Sequence, residues 1–267
     1  MPQVEIIYQD NNLLIVNKLA GQIVNAATSH QQESLQEYFA KIWQLPYPTA
    51  AASQEASDEE LFISRAGMVH RLDKNTSGVL LWAKNPTTLK ALLQQFQQRK
   101  VSKTYLCLAH GLLKETQGRI SLPLARKKTN RQIMAVDPLG REAITFFQLL
   151  RHYQFNPAKL PTVSRKKLLQ LYQGFSLLQV QPQTGRTHQI RAHLTNYHHP
   201  LVGDGAYLSP RKAKLDLLWC QRQFLHAQSI SFTHPATGKP LTFNSPLPQD
   251  LQQALTYLIS LDRKSVV

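Results

Sequence analysis

Cysteine is scarce in this chain. Its two examples, Cys107 and Cys220, stand among apolar neighbours (Leu106-Cys107-Leu108 and Leu218-Trp219-Cys220) with no metal-ligand spacing. A disulfide framework is thereby excluded, and both read as reduced core thiols of a cytosolic protein. Long apolar runs are missing too. A stretch such as Val79 to Ala83 falls far short of the roughly 20 residues that span a bilayer, so no membrane helix is expected. The N-terminus has neither a basic region before a hydrophobic stretch nor an Arg- and Ser-rich composition, which makes the cytoplasm the expected compartment. There is no Gly-Lys-Ser/Thr phosphate loop and no Gly-x-Gly-x-x-Gly after a strand. Acid is short as well: 16 acidic residues face 31 Lys and Arg, a formal charge of +15, and Glu55, Asp58, Glu59 and Glu60 fall in one segment. A compact chain with this much positive charge repels itself, so a polyanion such as nucleic acid is the expected partner.

With 267 residues the chain can bury a sizeable core without staples. Val4 to Tyr8 and Leu13 to Asn17 read as a hairpin. Ser34 to Trp43 carries Leu35, Phe39 and Ile42 at helical spacing. Residues 46–60, poor in large apolar groups, read as a mobile acidic surface loop. Asn85-Pro86 is an N-cap and first-turn proline ahead of Leu89, Leu92, Leu93 and Phe96, which predicts a helix. Val101 to Leu108 returns to β character, and residues 119 to 131 form a basic loop or hairpin tip with Arg119, Arg126, Lys127, Lys128 and Arg131. Ala143 to Leu150 and Phe175 to Val180 look like strands, separated by a polar, basic segment at 152–173 that reads as an insertion. Ser229 to Phe232 and Leu241 to Asn244 flank another hairpin turn. A last helix is predicted from near Pro248, using Leu251, Leu255 and Leu258. With no internal repeat, one α+β unit over 1–267 is the economical reading.

Two constellations carry chemistry. In His70-Arg71-Leu72-Asp73-Lys74-Asn75-Thr76-Ser77-Gly78, one carboxylate sits between a guanidinium and an ammonium on a turn that feeds an apolar strand. Nearby positive charge favours an ionised carboxylate, which suits Asp73 to act as a nucleophile or electrostatic partner. A β-turn whose Asp caps backbone amides is the plainer account. In Gln183-Thr184-Gly185-Arg186-Thr187-His188-Gln189-Ile190-Arg191-Ala192-His193-Leu194, Ile190 and Leu194 lie one turn apart, so a helix is predicted from near Thr187 with Arg186 just ahead of it. Spacing leaves open whether Arg186 binds a carboxylate or is one more phosphate-binding arginine. His188 and His193, five apart, point about 140° away from each other on a helix, and no Cys or acidic pair completes a zinc set, so no metal site is expected. Tyr105 could stack on an extruded base in a basic cleft, or simply fill a strand face.

The first string resembles the motif of the RluA-type pseudouridine synthases, in which His-Arg-Leu-Asp is followed two residues later by Thr-Ser-Gly. Gly185 to Arg191 resembles the second hallmark of that family, and Lys18-Leu19-Ala20-Gly21 its Lys-Pro-Ala-Gly turn with Leu for Pro. Phe224-Leu225-His226-Ala227 resembles a weaker third motif, and Pro200 to Tyr207 the sequence after the second. The resemblance implies an α+β fold with a mixed, mainly antiparallel sheet, flanking helices and a basic RNA-binding cleft. It also implies isomerisation of a specific uridine to pseudouridine in structured RNA, rRNA or tRNA. Asp73 would be the catalytic residue, Arg186 its charge partner and Tyr105 the face against the base. Arg71 would help extrude the uridine, Leu225 line the base pocket, and Lys103 and Arg191 contact the substrate. Nothing is oxidised and no phosphate is transferred, so neither a cofactor nor a metal is expected. Many relatives carry an N-terminal RNA-binding domain of the S4 type. Only three residues precede the first strand here, so that module is expected to be absent, leaving a monomer that grips RNA with basic loops. The alternative is a catalytically inactive basic RNA-binding or RNA-folding protein of the same fold. A metal-dependent nuclease or deaminase would need clustered acids or His/Cys ligands that the chain lacks.

Overall fold

Short β-rich runs alternate with capped amphipathic stretches over residues 4–26, 32–48, 55–159 and 165–261, which the computed structural model describes. In chain order the elements are β1 (Glu5–Gln9), β2 (Leu13–Lys18), α1 (Leu35–Ile42), α2 (Asp58–Arg65), β3 (Ser77–Ala83), α3 (Pro86–Gln97) and β4 (Ser102–His110). There follow β5 (Gln117–Ser121), β6 (Leu124–Lys127), β7 (Asn130–Val136), β8 (Ile144–Phe155), α4 (Arg165–Leu171), β9 (Phe175–Pro182) and α5 (Gln189–Asn196). The chain closes with α6 (Pro210–Asp216), β10 (Leu225–Thr233), β11 (Pro240–Asn244), α7 (Gln249–Thr256) and β12 (Leu258–Leu261). The single domain expected over 1–267 comprises two units, one of residues 1–103 with 227–246, the other of 104–226 with 247–267.

In the first unit β1 pairs antiparallel with β2, and β2 with β3, from Leu13 opposite Ala83 to Lys18 opposite Gly78. The predicted β10–β11 hairpin forms, with Ser229 opposite Asn244 and Phe232 opposite Leu241. Every residue of β3 is buried, which is why it reads as an unbroken apolar run rather than an alternation. Leu13, Ile15, Val79, Leu81, Leu89, Leu92, Ile230 and Phe232 share its core. The α3 start is as predicted: the Asn85 side chain accepts from Thr88 N, and Pro86 needs no partner in the first turn. The 46–60 reading needs correcting. Ser57 and Glu60 form a capping box, and Asp58, Glu59 and Glu60 are the first turn of α2, where backbone N–H groups and the helix dipole favour negative charge. Residues 49–54 lie outside the described residues.

In the second unit β4 pairs with β9 and β9 with β8, all antiparallel. Along its other edge β8 takes two partners in turn, β5 opposite residues 144–148 and β12 opposite residues 152–155. Strand β8 therefore continues well into the supposed 152–173 insertion. Leu168 of α4 enters the same core as Phe155, Phe175, Trp219 and Leu251, so that end of the segment is structural too; residues 160–164 lie outside the described residues. Leu258, predicted on the last helix, instead opens β12, because α7 ends at Thr256 and the chain then pairs with β8. Of the basic stretch at 119–131, Arg119 lies on β5, and the rest falls in the β6–β7 hairpin, with Arg126, Lys127, Lys128 and Arg131 all exposed.

Candidate active site

Asp73 stands half-buried where the chain turns into β3, and its carbonyl accepts from Thr76 N at 3.0 Å. The turn is clamped from the neighbouring strand end. Lys18, 1 % exposed, donates from Nζ to the carbonyls of Leu19, Gln22 and Lys74, each at 2.9 Å, and Gly21 N also donates to Lys74 O. A buried ammonium is tolerable only with such a set of acceptors. Three carbonyls converging on it fix the backbone immediately after Asp73. The third residue of Thr76-Ser77-Gly78 has φ +117°, and a Cβ there would lie 2.1 Å from the Ala227 carbonyl oxygen, so only glycine lets β3 pass β10. Arg71, two residues before the carboxylate, is exposed.

The flank of this motif is aromatic and basic. His70 stacks on Phe96 with centroids 5.1 Å apart, and Lys103 Nζ lies 5.5 Å from the same ring. Leu81 N donates to His70 Nε2 at 3.1 Å, so that nitrogen is unprotonated. Burial, with the charge of Lys103, pushes His70 down to about 3, and burial pushes Lys103 down to about 8. His70 is thus a neutral packing and acceptor group, whereas Lys103 is a cation whose charge is lost early.

In the second unit Tyr105 is 8 % exposed on β4, opposite Val180 of β9, which itself faces Phe147 of β8. Arg186 lies half-buried on the loop between β9 and α5. Gln189 builds that loop. Its Oε1 accepts from Thr184 Oγ1 (2.7 Å) and Arg186 N (3.0 Å), while its Nε2 donates to Ile144 O and Thr145 Oγ1. Arg186 Nε donates to Glu142 O at 3.0 Å, anchoring the stem, and its terminal nitrogens make no hydrogen bond among the described residues. Helix α5 begins two residues later than predicted, because His188 takes the left-handed conformation with φ +52°. His193 has a structural task. Its Nε2 donates to Leu122 O, so its Nδ1 accepts from Thr145 Oγ1, and burial lowers its proton affinity against the opposing effect of the Leu122 bond. Leu225, 4 % exposed, opens β10 with its carbonyl accepting from Arg222 Nη1, and Arg222 is held by Asp250.

Arg191 corrects the sequence reading. It was expected to touch the substrate, but it is 6 % exposed and grips Asp204 through Nε (2.7 Å) and Nη2 (2.8 Å), with the Tyr207 ring 5.1 Å from its guanidinium carbon. A fork held by a fully buried carboxylate is structural. Lys18 was missed as a support of the site, although a lysine closing the apolar run Leu13 to Val16 and followed by Gly21 was the available signal.

Residues 12–196 match the family described as RNA pseudouridylate synthase. An uncharacterized RNA pseudouridine synthase of Bacillus subtilis is 34% identical over 254 residues, covering 95% of this chain and 72% of that protein. The ribosomal large subunit pseudouridine synthase D of Pseudomonas aeruginosa is 33% identical over 273 residues, 99% of this chain and 74% of the relative. Among solved structures, human RNA pseudouridylate synthase domain containing 4 superposes with TM-score 0.64 at 21% identity, covering 96% of this chain and 94% of that one, a likeness of fold.

Proposed function

The chain belongs to the RNA pseudouridylate synthase family and isomerises uridine in RNA to pseudouridine, and on that premise we propose that Asp73 is the nucleophile of the reaction. The conversion breaks the C1′–N1 bond of the uridine and makes a C1′–C5 bond, with C5 losing a proton and N1 gaining one. Substrate and product are isomers, so a carboxylate that attacks the ribose or the base and is later released suffices, and no co-reactant enters. Arg186 supplies the guanidinium of the reaction, with Nε tethered so that the rest of the fork is presented in a narrow range of directions. Tyr105 offers a rigid aromatic face to the base, Leu225 an apolar wall, Arg71 a flat cation that takes the place of the extruded uridine, and Lys103 a phosphate contact. The observation that carries this reading is the Asp73 turn, held by the Lys18 ammonium and by a glycine that tolerates no side chain.

The exposed β6–β7 hairpin supplies cations for the phosphate backbone, which give affinity without reading sequence. Large-subunit ribosomal RNA is the first substrate to test, since relatives bearing that description are 33% identical to this chain over the aligned residues. The protein acts as a cytoplasmic monomer in this reading; no helix among the described residues is long and apolar enough to cross a membrane. The test is pseudouridine mapping of total RNA from cells with and without the gene, complemented by the wild-type chain or Asp73→Asn. One or a few sites should vanish and return only with the wild type. Loss of no site, or rescue by Asp73→Asn, rejects the assignment. In the purified enzyme Arg186→Ala should lose most turnover while RNA affinity stays nearly intact, and Tyr105→Phe should keep more activity than Tyr105→Ala.

A further inference from the structure

Strands β5, β8 and β9 leave one sheet face open in the second unit, bordered by β4, whose Leu106 is buried. Their registers set Arg119 beside Phe146, Gln181 and Thr104 in one row across the four strands, and Gln117 beside Gln148, Gln179 and Leu106 in the next. This is the reverse of the face that bears Tyr105, because Tyr105 aligns with Val180 and Phe147, one residue out of step with both rows. Over it lies a cavity of about 540 Å³ lined by Arg119, Phe146, Gln148, Gln179, Gln181 and Gln117 among others, with no carboxylate in its wall.

Its chemistry is unusual for an uncovered sheet. Phe146 is 40 % exposed, and the Arg119 guanidinium carbon lies 6.0 Å from the centre of its ring. The side-chain amides of Gln117, Gln148 and Gln179 make no hydrogen bond to protein among the described residues, and Gln181 reaches only Thr104 Oγ1, at 3.5 Å. Each such amide offers two donors and an acceptor, the inventory that pairs with the edge of a nucleobase. An exposed ring on a sheet gives a base its stacking surface, and a guanidinium beside it takes the phosphate or extends the stack. Gly118 brings β5 close to β8, since a Cβ there would lie 2.5 Å from the Phe147 ring on the other face.

We propose that this trough binds a short unpaired segment of the RNA substrate, about two nucleotides long, at a site separate from the residues assigned to the chemistry. The lining comes from three strands, which at about 4.8 Å spacing span roughly 10 Å, room for about two bases stacked on a sheet face. Charge complementarity selects this occupant: the wall carries a cation and no anion, in a chain with formal charge +15. A second copy of the chain fits poorly, because a row of glutamines lacks the apolar centre of a homodimer interface and two such copies repel. The proposal rests on RNA being the substrate and adds a contact to it.

The test uses the full chain and a single-stranded RNA of eight nucleotides carrying 4-thiouridine, photo-cross-linked and mapped by mass spectrometry, with fluorescence anisotropy for affinity. Adducts are expected on peptides containing Phe146 to Gln148 or Gln179 to Gln181. Phe146→Leu should weaken binding about tenfold. The double variant Gln148→Ala with Gln181→Ala, at two exposed polar positions, should weaken it without disturbing the thermal midpoint. Adducts confined to other peptides, or unchanged affinity in both variants, overturn the proposal; so does a dimer at assay concentration that Phe146→Ser dissociates. Asp73→Asn runs alongside: trough adducts that persist while its turnover is lost support both readings, whereas turnover retained by Asp73→Asn with the same adducts rejects only the catalytic one.

Discussion

Removing the carboxylate of Asp204 is the sharpest test of how the second unit is held together. Asp204 is 0 % exposed, accepts two hydrogen bonds from Arg191 and one from Ala206 N at 3.2 Å, and its own carbonyl accepts from Tyr207 N and Leu208 N. Deleting one member of such a pair strands the other charge in the interior, which costs about 3 to 5 kcal/mol. Asp204→Ala and Arg191→Ala should each fall in that range. Arg191→Met combined with Asp204→Leu removes both charges and keeps apolar volume, leaving chiefly the lost Ala206 bond, about 1 kcal/mol. The two single losses add to roughly 6 to 10 kcal/mol if independent, so a double variant near 1 to 2 requires a coupling of several kcal/mol. Hydrogen exchange of the α5 amides reads this directly: 3 kcal/mol is more than a hundredfold faster exchange where exchange follows local or global opening. If Arg191→Ala left exchange unchanged but weakened RNA binding, the guanidinium would be a substrate contact after all, and the structural assignment would fall.

Gly78→Ala should yield little soluble protein, since both the positive φ and the 2.1 Å approach to Ala227 O oppose a side chain, while Gly205→Ala, with nothing within 4 Å of its new Cβ, serves as the neutral control in the same expression and melting assay. Lys103 gives a pH signature. Its folded value of about 8 is depressed from 10.5, so between these limits the unfolded chain holds a proton the folded one lacks, and stability should rise with pH across that window by at most about 1.4 kcal/mol per unit. RNA affinity should move the other way, falling from about pH 7 to 9 as this cation discharges ahead of ordinary lysines. Lys103→Arg should flatten the affinity profile, and an equally steep profile in that variant refutes Lys103 as a phosphate contact.

Local signals account for what could be read in advance. The Asn85-Pro86 cap, the β10–β11 turn and the β1–β2 hairpin each close over a few residues, where propensity and hydrogen bonding decide the outcome. Ser57 to Glu60 is equally local, a Ser-x-x-Glu box beneath a cluster of acids, but acidic composition alone does not distinguish a solvated loop from a complement to the helix dipole. The misreadings elsewhere share a cause in partners remote along the chain. Leu258 sits at a helical interval from Leu251 and Leu255, yet its strand is made by pairing with Phe155, about a hundred residues earlier. Arg191 lies in a family-like string on a helix, and only its meeting with Asp204, 13 residues on, shows that the fork faces inward.

The same distinction runs through the site. The residues proposed for the chemistry are legible because each lies in a short continuous string, and a string is what a motif can record. What keeps Asp73 in place is not a string. Lys18 acts across 56 residues on the carbonyl of Lys74, and Gly78 is forced by the approach of Ala227, a neighbour in space from near the other end of the chain. Neither contact can be named from one end taken alone: a lysine that closes an apolar strand ahead of Gly21 marks a position without its partner, and a glycine in a turn looks like any turn glycine. A nucleophile must be held rigidly to gain from orientation, so in the role proposed for Asp73 the stiffness of that turn would count as much as the carboxylate. It comes from pairings that appear only once the strands are laid side by side.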